Sequence, residues 1–539
     1  MSAFLLEHSP CLDALKLYRV LVAANVQDIQ QAQTDMPKHK SQKPRRFWRR
    51  LGLSLALLFV LLVVVLARPV FHLARTAWYD RNEIFPLREG RTDDASRLDE
   101  TAVAKIWKIP DDEAAAEKQL AELLEYARTN HLKISIAGAR HSMGGHTIYP
   151  NGIVIDMLPF NRMSLDEARN ILHVQAGARW RDVIKFLNAL GRSVAVMQSN
   201  DDFSIGGSLS VNCHGWQFAS PPIASTVESF RLMLANGNIM RCSRAENPEL
   251  FSLVLGGYGL FGVILDADLR VVPNERYKIE RIPVSAADYA NILAQKTLDA
   301  KDVAMVYGRL RVTSPNFLQD GILNIFHRVP ATNVLITPLD EQKNWELERL
   351  IFRGGVGSEY GKELRWDAEK YFSSVLSGNF FDRNDILYEP SDWFSDHSTN
   401  STDILVECFV PPDQFATFVK EMQKIIPANR ADLLNVTVRD VDEDRDTFLR
   451  YADKEMISLV MLFSQKRDAE GEAQMAKLTR ELVAAALKHD GRYYLPYRLH
   501  ATQEEFAEAY PRAKAFFSLK RKYDPDELFQ NEFYLKYGK

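Results

Sequence analysis

The run Ile134-Ser-Ile-Ala-Gly-Ala-Arg-His-Ser-Met-Gly-Gly-His146 constrains this chain more than any other stretch. It leaves a short β-prone segment, 133–136, and breaks at once into a loop of small residues. Gly138, Gly144 and Gly145 permit backbone angles and close approaches that a Cβ would block. Successive amides turned inward in such a loop make a nest for an anion. A phosphate or pyrophosphate is the natural guest, with Arg140 and Ser142 as further donors and His141 as the reactive group. A solvated turn after a strand accounts for this stretch equally well when it is taken alone.

Two further small-residue stretches shift that balance. One is Ser199-Asn-Asp-Asp-Phe-Ser-Ile-Gly-Gly-Ser-Leu-Ser-Val-Asn-Cys-His-Gly-Trp216, rich in side-chain donors. The other is Leu255-Gly-Gly-Tyr-Gly-Leu-Phe-Gly-Val-Ile264, where Gly257, Gly259 and Gly262 spell G-x-G-x-x-G. That spelling has a dinucleotide-binding mechanism only when it follows a strand and opens a helix. Here it follows a helix-like stretch, 247–255, and precedes a strand-like one, 265–272. The reversed order excludes a Rossmann reading.

In this order and spacing the three stretches resemble the PCMH-type FAD-binding domain of the vanillyl-alcohol oxidase flavoproteins, closest to the sugar-lactone and alditol oxidases and the cytokinin dehydrogenases. The resemblance covers roughly residues 111–273 and the C-terminal tail. Ala137, Gly138, Ala139, Arg140, His141 and Ser142 resemble the pyrophosphate loop, which Met143, Gly145 and His146 continue. In that family the histidine at this place is often bonded to the flavin, so the resemblance implies FAD, covalent through His141. The segment with Ser199, Ser204, Gly206, Gly207, Ser210, Asn212 and Gly215 resembles the lining of the flavin ring. Gly262, Val263 and Ile264 are implied to complete the cofactor site. The tail Lys522-Tyr-Asp-Pro-Asp-Glu-Leu-Phe-Gln-Asn-Glu-Phe533, with Asn531, matches the family's closing motif, which returns to the FAD domain.

A chain of 539 residues is long enough for two domains with sizeable cores. The net charge of −4 gives no reason to expect a polyanion, so no nucleic-acid partner is expected. Cys11, Cys213, Cys242 and Cys408 form neither a CxxC pair nor a disulfide framework. His141 and His146 sit on a glycine loop without a third ligand, so no metal site is expected.

Near the N-terminus, residues 1–33 have apolar positions at helical spacing: Ala14, Leu17, Val20, Leu21 and Ala24. A basic run follows, ending at Arg45, Arg46, Arg49 and Arg50, and then an uncharged apolar block at 51–67, which Val70 and Phe71 extend. A spanning helix needs at least about 17 such residues, and a buried core helix would keep a polar face. The pattern predicts one transmembrane helix. The basic flank puts the N-terminus in the cytoplasm and the rest outside it, in the periplasm if the source is bacterial. A removable signal peptide is the competing reading.

The expected organisation is therefore a cytoplasmic segment (1–50), a transmembrane helix (51–71) and a polar, irregular linker (72–100). The FAD-binding domain (101–275), the substrate domain (276–500) and a C-terminal segment returning to the FAD domain (501–539) follow. The fold class is α+β: a two-subdomain FAD-binding domain plus an α/β substrate cap, preceded by one transmembrane helix. Helices are expected at 113–130, 180–190, 341–352 and 472–488, and cap strands at 404–410, 434–438 and 456–463.

Flavin enzymes leave the redox step to the cofactor, while the protein orients, binds charge and moves protons. Asn435-Val-Thr-Val-Arg-Asp440 resembles the family segment in which an E-x-R pair faces the flavin. Arg439 matches the arginine and is the first catalytic candidate; a surface arginine paired with Asp440 or Asp442 is the bland alternative. Thr437 stands where the glutamate would be, which speaks against a polyol substrate. Tyr493, Tyr497, Arg498 and His500 are candidate pocket residues, with Tyr497 or His500 as proton acceptor, and Glu407 is a further candidate base.

The expected activity is a membrane-anchored FAD-dependent oxidoreductase. It oxidises a CH–OH or CH–NH group of a small or lipid-linked substrate and is reoxidised by oxygen, a quinone or another carrier. The alternatives are a flavin-dependent reductase of an alkene or sterol-like lipid, and a non-catalytic flavin-domain scaffold at the membrane.

Overall fold

The computed structural model describes residues 44–80, 86–330, 338–339, 345–372 and 379–539. The expected N-terminal helix within 1–33 lies outside them. The described chain divides into two units, one ending at Tyr79 and one running from Asp80 to Lys539.

The described residues of the first unit form one helix, α1 (Pro44–Tyr79). It runs past the expected boundary at Phe71, because the sequence from His72 to Tyr79 holds no glycine or proline to break it. Residues 72–79 of the expected linker are therefore helical, and Arg91–Thr92 within it is a strand. From Trp48 to Val60 every side chain is exposed, Leu53 at 70% and Phe59 at 65%. Among the described residues no helix is long and apolar enough to cross a membrane. The side chains at 61, 62, 64 and 65, in the middle of the apolar block, lie outside the described set, and with them part of the expected span.

After a two-stranded antiparallel ribbon, Arg91–Thr92 with Thr101–Ala102, the second unit has three parallel strands, β1 (Lys105–Lys108), β2 (Ile134–Ala137) and β3 (Ile153–Asp156), in the order β1-β3-β2. Helix α2 (Glu113–Thr129) starts where the Asp112 side chain accepts from the Ala115 amide. It buries Ala116, Leu120, Leu123, Leu124 and Ala127, the apolar stripe of the sequence. The C-terminal tail joins this sheet: Ile134 donates to Leu528 O at 2.8 Å, and Gln530 donates to Ile134 O at 2.9 Å.

An antiparallel sheet comes next, from β4 (Met163–Asp166), β5 (Ile171–Gln175), β6 (Arg192–Val194), β7 (Val227–Met233), β8 (Ile239–Ser243) and β9 (Val263–Pro273). Its order is β8-β7-β9-β5-β4, with β6 on β9. Helices α3 (Trp180–Asn188), α4 (Ile205–Val211) and α5 (Pro248–Val254) pack within this lobe. The G-x-G-x-x-G segment lies between α5 and β9, the helix-then-strand order that excludes a Rossmann turn.

The cap is one eight-stranded antiparallel sheet. Its strands are β10 (Arg276–Ser285), β11 (Val303–Leu310), β12 (Asp320–Arg328), β13 (Phe380–Asp382), β14 (Ser401–Val410), β15 (Asp432–Val441), β16 (Met456–Lys466) and β17 (Arg492–Tyr493). They run in the order β13-β10-β12-β11-β15-β16-β14-β17. Helices α6 (Phe415–Ala428) and α7 (Ala469–Lys488) bury their apolar stripes into the core. The helix Trp345–Arg353 is held by buried ion pairs, Arg349 to Asp80 at 2.7 Å and Arg353 to Asp403 at 2.5 Å. Removing one partner of such a pair costs about 3–5 kcal/mol, because the other charge is left buried.

Candidate active site

Strand periodicity decides what the cap presents. Side chains alternate between the faces of a strand, so Asn435, Thr437 and Arg439 of β15 share one face while Val436 and Val438 enter the core. The register places Arg309 of β11 opposite Thr437, Thr437 opposite Val460 of β16, and Val460 opposite Glu407 of β14. One row across four strands therefore reads Arg309, Thr437, Val460, Glu407. All four line a cavity with about 240 Å³ open to water centres. The facing wall is the loop lobe: Gly138, Ala139, Arg140, His141, Ser142 and His146, then Ser199, Ser204, Gly206, Gly207 and Ser210, then Gly262 and Ile264.

The loop wall is built for close backbone approach. A Cβ on Gly138 would sit 1.9 Å from Ser204 Oγ. Gly262 has φ +152°, and a Cβ there would meet Met233 O at 2.5 Å. Buried Arg140 Nε, Ser142 Oγ and Thr147 Oγ1 have no hydrogen-bond partner among the described residues. Buried polar atoms normally find a partner, and three orphaned atoms around a glycine cradle fit a polar, anionic cofactor. His141 stacks on Phe203 at 4.1 Å, with Nε2 3.3 Å from Asp202 Oδ2. Burial lowers its pKa against the pull of Asp202, so the imidazole is neutral at pH 7.

The sheet wall carries the charge. Glu407 is 1% exposed; its Oε1 lies 2.7 Å from His214 Nε2 and accepts from Ser458 Oγ at 2.5 Å, and its Oε2 accepts from Tyr497 Oη at 3.2 Å. Burial pushes the carboxyl up, but His214, Arg439 and Ser458 outweigh it and hold it below the usual carboxylate range. Burial, with Arg439 beside it, lowers the pKa of His214. The attraction to a charged His214 and the lowered pKa of that same histidine oppose each other; burial being the larger influence on the imidazole, we take Glu407 as ionised and His214 as neutral. Arg439 donates Nη2 to Ser199 Oγ at 2.7 Å and Nη1 to His214 O at 3.2 Å, and its buried Nε has no partner among the described residues. The surface pair with Asp440 or Asp442 is not formed; the strand turns Asp440 to the opposite face. Burial and the like charges of Asp442 and Glu455 push Asp440 up to about 7.

Several sequence candidates lie off the cavity. His500 binds Thr479 Oγ1 and Glu472 Oε1, both at 3.0 Å, so the expected proton acceptor is part of an ionic cluster with Arg498 instead. Strand β17 ends at Tyr493, and the chain then turns His500 toward α7. Arg498 pairs with Asp99 at 2.6 Å, and Tyr493 packs on Tyr510, so of the expected tyrosines Tyr497 alone reaches the cavity, joined by Tyr494. Ala137 ends β2, and Val263 is buried in β9. Met143 Sδ accepts from the Leu405 amide, and the Gly145 amide is taken by Asp94 Oδ2 at 2.8 Å. Asn212 binds Asp444 and the Ala224 amide, and Gly215 is a packing glycine whose Cβ would meet Met197 O at 2.0 Å. Asn531 caps the last helix and donates to His146 O and Tyr258 O, both at 2.9 Å, which ties two cofactor-wall loops together.

Sequence patterns assign no role to His214, Asp202, Phe203, Trp216 or Arg309. His214 and Asp202 stood inside quoted motifs, next to the residues chosen. Arg309 had no local signal at all, because only the β11–β15 register brings it to Thr437.

Residues 112–243 match the family of the FAD binding domain. The protein carries a PCMH-type FAD-binding domain. FAD is the cofactor of this domain. Cytokinin dehydrogenase 2 of Arabidopsis thaliana is 32% identical over 41% of this chain and 45% of that protein. The uncharacterized oxidoreductase of the fasciation locus of Rhodococcoides fascians is 28% identical over 37% of this chain and 45% of that protein. L-gulonolactone oxidase of Scyliorhinus torazame is 25% identical over 31% of this chain and 38% of that protein. The chain spans less than half the length of these relatives.

Proposed function

We propose that this protein is a membrane-anchored FAD-dependent oxidoreductase that oxidises a CH–OH or CH–NH group. The observation that carries the reading is the meeting of the flavin wall with Arg439 and the Tyr497–Glu407–His214 group in one cavity. When bound, FAD supplies the acceptor for the substrate hydride at N5. Electrons then pass to oxygen, a quinone or another carrier.

The residues divide the remaining work. Tyr497 keeps its proton at neutral pH, since burial and the neighbouring Glu407 raise its pKa. Its hydroxyl takes the proton of the substrate O–H or N–H as it passes its own to Glu407 Oε2. Neutral His214, with Nε2 2.7 Å from Oε1, positions the carboxylate that receives this proton. Arg439, fixed by two neutral acceptors, offers positive charge to the negative charge that develops in the cavity. Neutral His141 retains a lone pair for a covalent bond to the flavin, and Asp202 orients it. Thr437, bonded by Arg309 and Asn435, replaces the carboxylate expected of polyol oxidases and argues against a polyol substrate.

Helix α1 is the proposed membrane span, with the flavin domain on the extracytoplasmic side. From Trp48 to Val60 its apolar side chains are exposed around the whole circumference, the pattern of a helix whose solvent is lipid.

The test is acid denaturation of the purified protein, followed by in-gel flavin fluorescence, beside His141→Ala. Fluorescence on the band that vanishes in the variant supports a covalent histidyl-FAD oxidase or dehydrogenase. Yellow protein that releases its flavin shifts the reading toward the reductase. Colourless protein that FAD does not reconstitute leaves only the scaffold.

A further inference from the structure

We propose that the substrate carries an anionic group, a carboxylate or a phosphate, on an apolar body, and that Arg309 binds that group. The inference rests on the oxidoreductase reading of the same cavity and adds the class of its substrate.

Three observations meet at Arg309. Its guanidinium is fixed: Nη1 donates to Thr437 Oγ1, and Cζ lies 5.3 Å from the centroid of the Tyr307 ring, which itself stacks on Trp216 at 4.4 Å. Its charge is poorly compensated. The nearest carboxylate is Glu369, 3.5 Å from Nε and 31% exposed, and that carboxylate also serves Arg365. Buried Arg365, lowered to about 10 by burial, spends its own hydrogen bond on Leu434 O and lies 4.7 Å over the Phe352 ring. Two residues along the chain, Arg311 shows what full pairing looks like here: Nη2 reaches both oxygens of Glu363, at 2.8 and 2.7 Å. Arg309 has no such partner among the described residues, although it lines the cavity.

Part of the same cavity lining is apolar. Phe352, Trp393, Phe394 and Leu462 belong to one cluster, with Phe352 and Trp393 edge to face at 5.2 Å. Glu407 lies at the far end of the row, beyond Thr437 and Val460. The sheet face thus runs from a cation past Thr437 and Val460 to the proton-accepting end, with Leu462 of the apolar cluster two residues from Val460. A guanidinium held by a hydroxyl and an aromatic face is pre-set for two-point binding of a planar carboxylate or a phosphate. A neutral polyol would leave that fork without a charged partner.

Isothermal titration calorimetry on the holoprotein tests this with benzoate, phenyl phosphate and the neutral isostere benzyl alcohol. At least one anion is expected to bind about 10-fold or more tightly than benzyl alcohol. The tighter of the two assigns carboxylate or phosphate. Arg309→Gln removes that preference, Arg309→Lys keeps part of it, and Glu369→Gln, which removes the competing carboxylate, tightens anion binding several-fold. Benzyl alcohol affinity stays within about 2-fold in all three variants. Equal or tighter binding of benzyl alcohol to the wild type overturns the proposal, as does anion affinity that ignores both Arg309→Gln and Glu369→Gln. The flavin absorbance of each sample reads the cofactor separately. Failure of the oxidoreductase reading is therefore seen as missing flavin, and failure of this inference as flavin without anion preference.

Discussion

The two walls of the cavity are made by opposite means. The flavin wall is made of loops in which glycine lets the backbone come close, and its polar atoms await a ligand. The cap wall is made of side chains on a regular sheet, and their charges largely satisfy one another before any substrate arrives. The loop wall tolerates no added bulk but reads simply along the chain. The sheet wall tolerates substitution but depends on which strand lies beside which. Cofactor binding and catalysis should therefore separate by mutation.

The sharpest test of that separation is Gly138→Val. The added side chain meets Ser204 at once, so the loop must move. The flavin-to-protein absorbance ratio should fall to near zero while circular dichroism still reports the folded cap. Flavin retained at full occupancy would refute the two-wall division.

Glu407→Gln is the counterpart on the sheet. Flavin content should persist, and turnover should fall about 100-fold or more, the usual worth of a positioned proton acceptor. Steady-state rates on flavin-normalised samples decide it. Arg439→Met is expected to cost less, about 10- to 100-fold in kcat/KM, since it removes a charged donor but leaves the proton path. Rescue by Arg439→Lys would show that charge rather than fork geometry matters.

The smallest effect lies on the opposite face of β15. Asp440 has a folded pKa of about 7, above the ordinary 3.8. The folded state thus holds this proton more tightly than the unfolded chain. The group costs nothing below about pH 4, its penalty grows as pH rises toward 7, and it is complete above that. Asp440→Asn should stabilise the protein by about 2 kcal/mol at pH 8, a half-buried site taking half the full value, and by less at pH 5. Urea unfolding at the two pH values checks the sign.

Much of the loop wall of the cavity was legible because its signal is local. The residue types that make a cradle are contiguous, so His141, Ser142, Gly206 and Gly207 could be named without knowing the fold. Elements with long, clear periodicity also kept their places, α2 and β14 among them. His500 misled because a run of aromatic and basic residues says nothing about where a strand stops, and β17 stops at Tyr493. Arg309 was invisible, and Glu407 only one candidate among several, since their meaning comes from partners far along the chain.

By itself the sequence determined the glycine-rich loops of one cavity wall, the helix-then-strand order that excludes a Rossmann turn, and the apolar block of α1. These follow from backbone freedom and hydrophobic periodicity, which act over a few residues. Only the tertiary structure decided which charges face the cofactor wall. Strand register places Arg309 beside Thr437, and chain packing sets His214 against Glu407. A shift of one residue in either strand would turn those side chains away from the cavity.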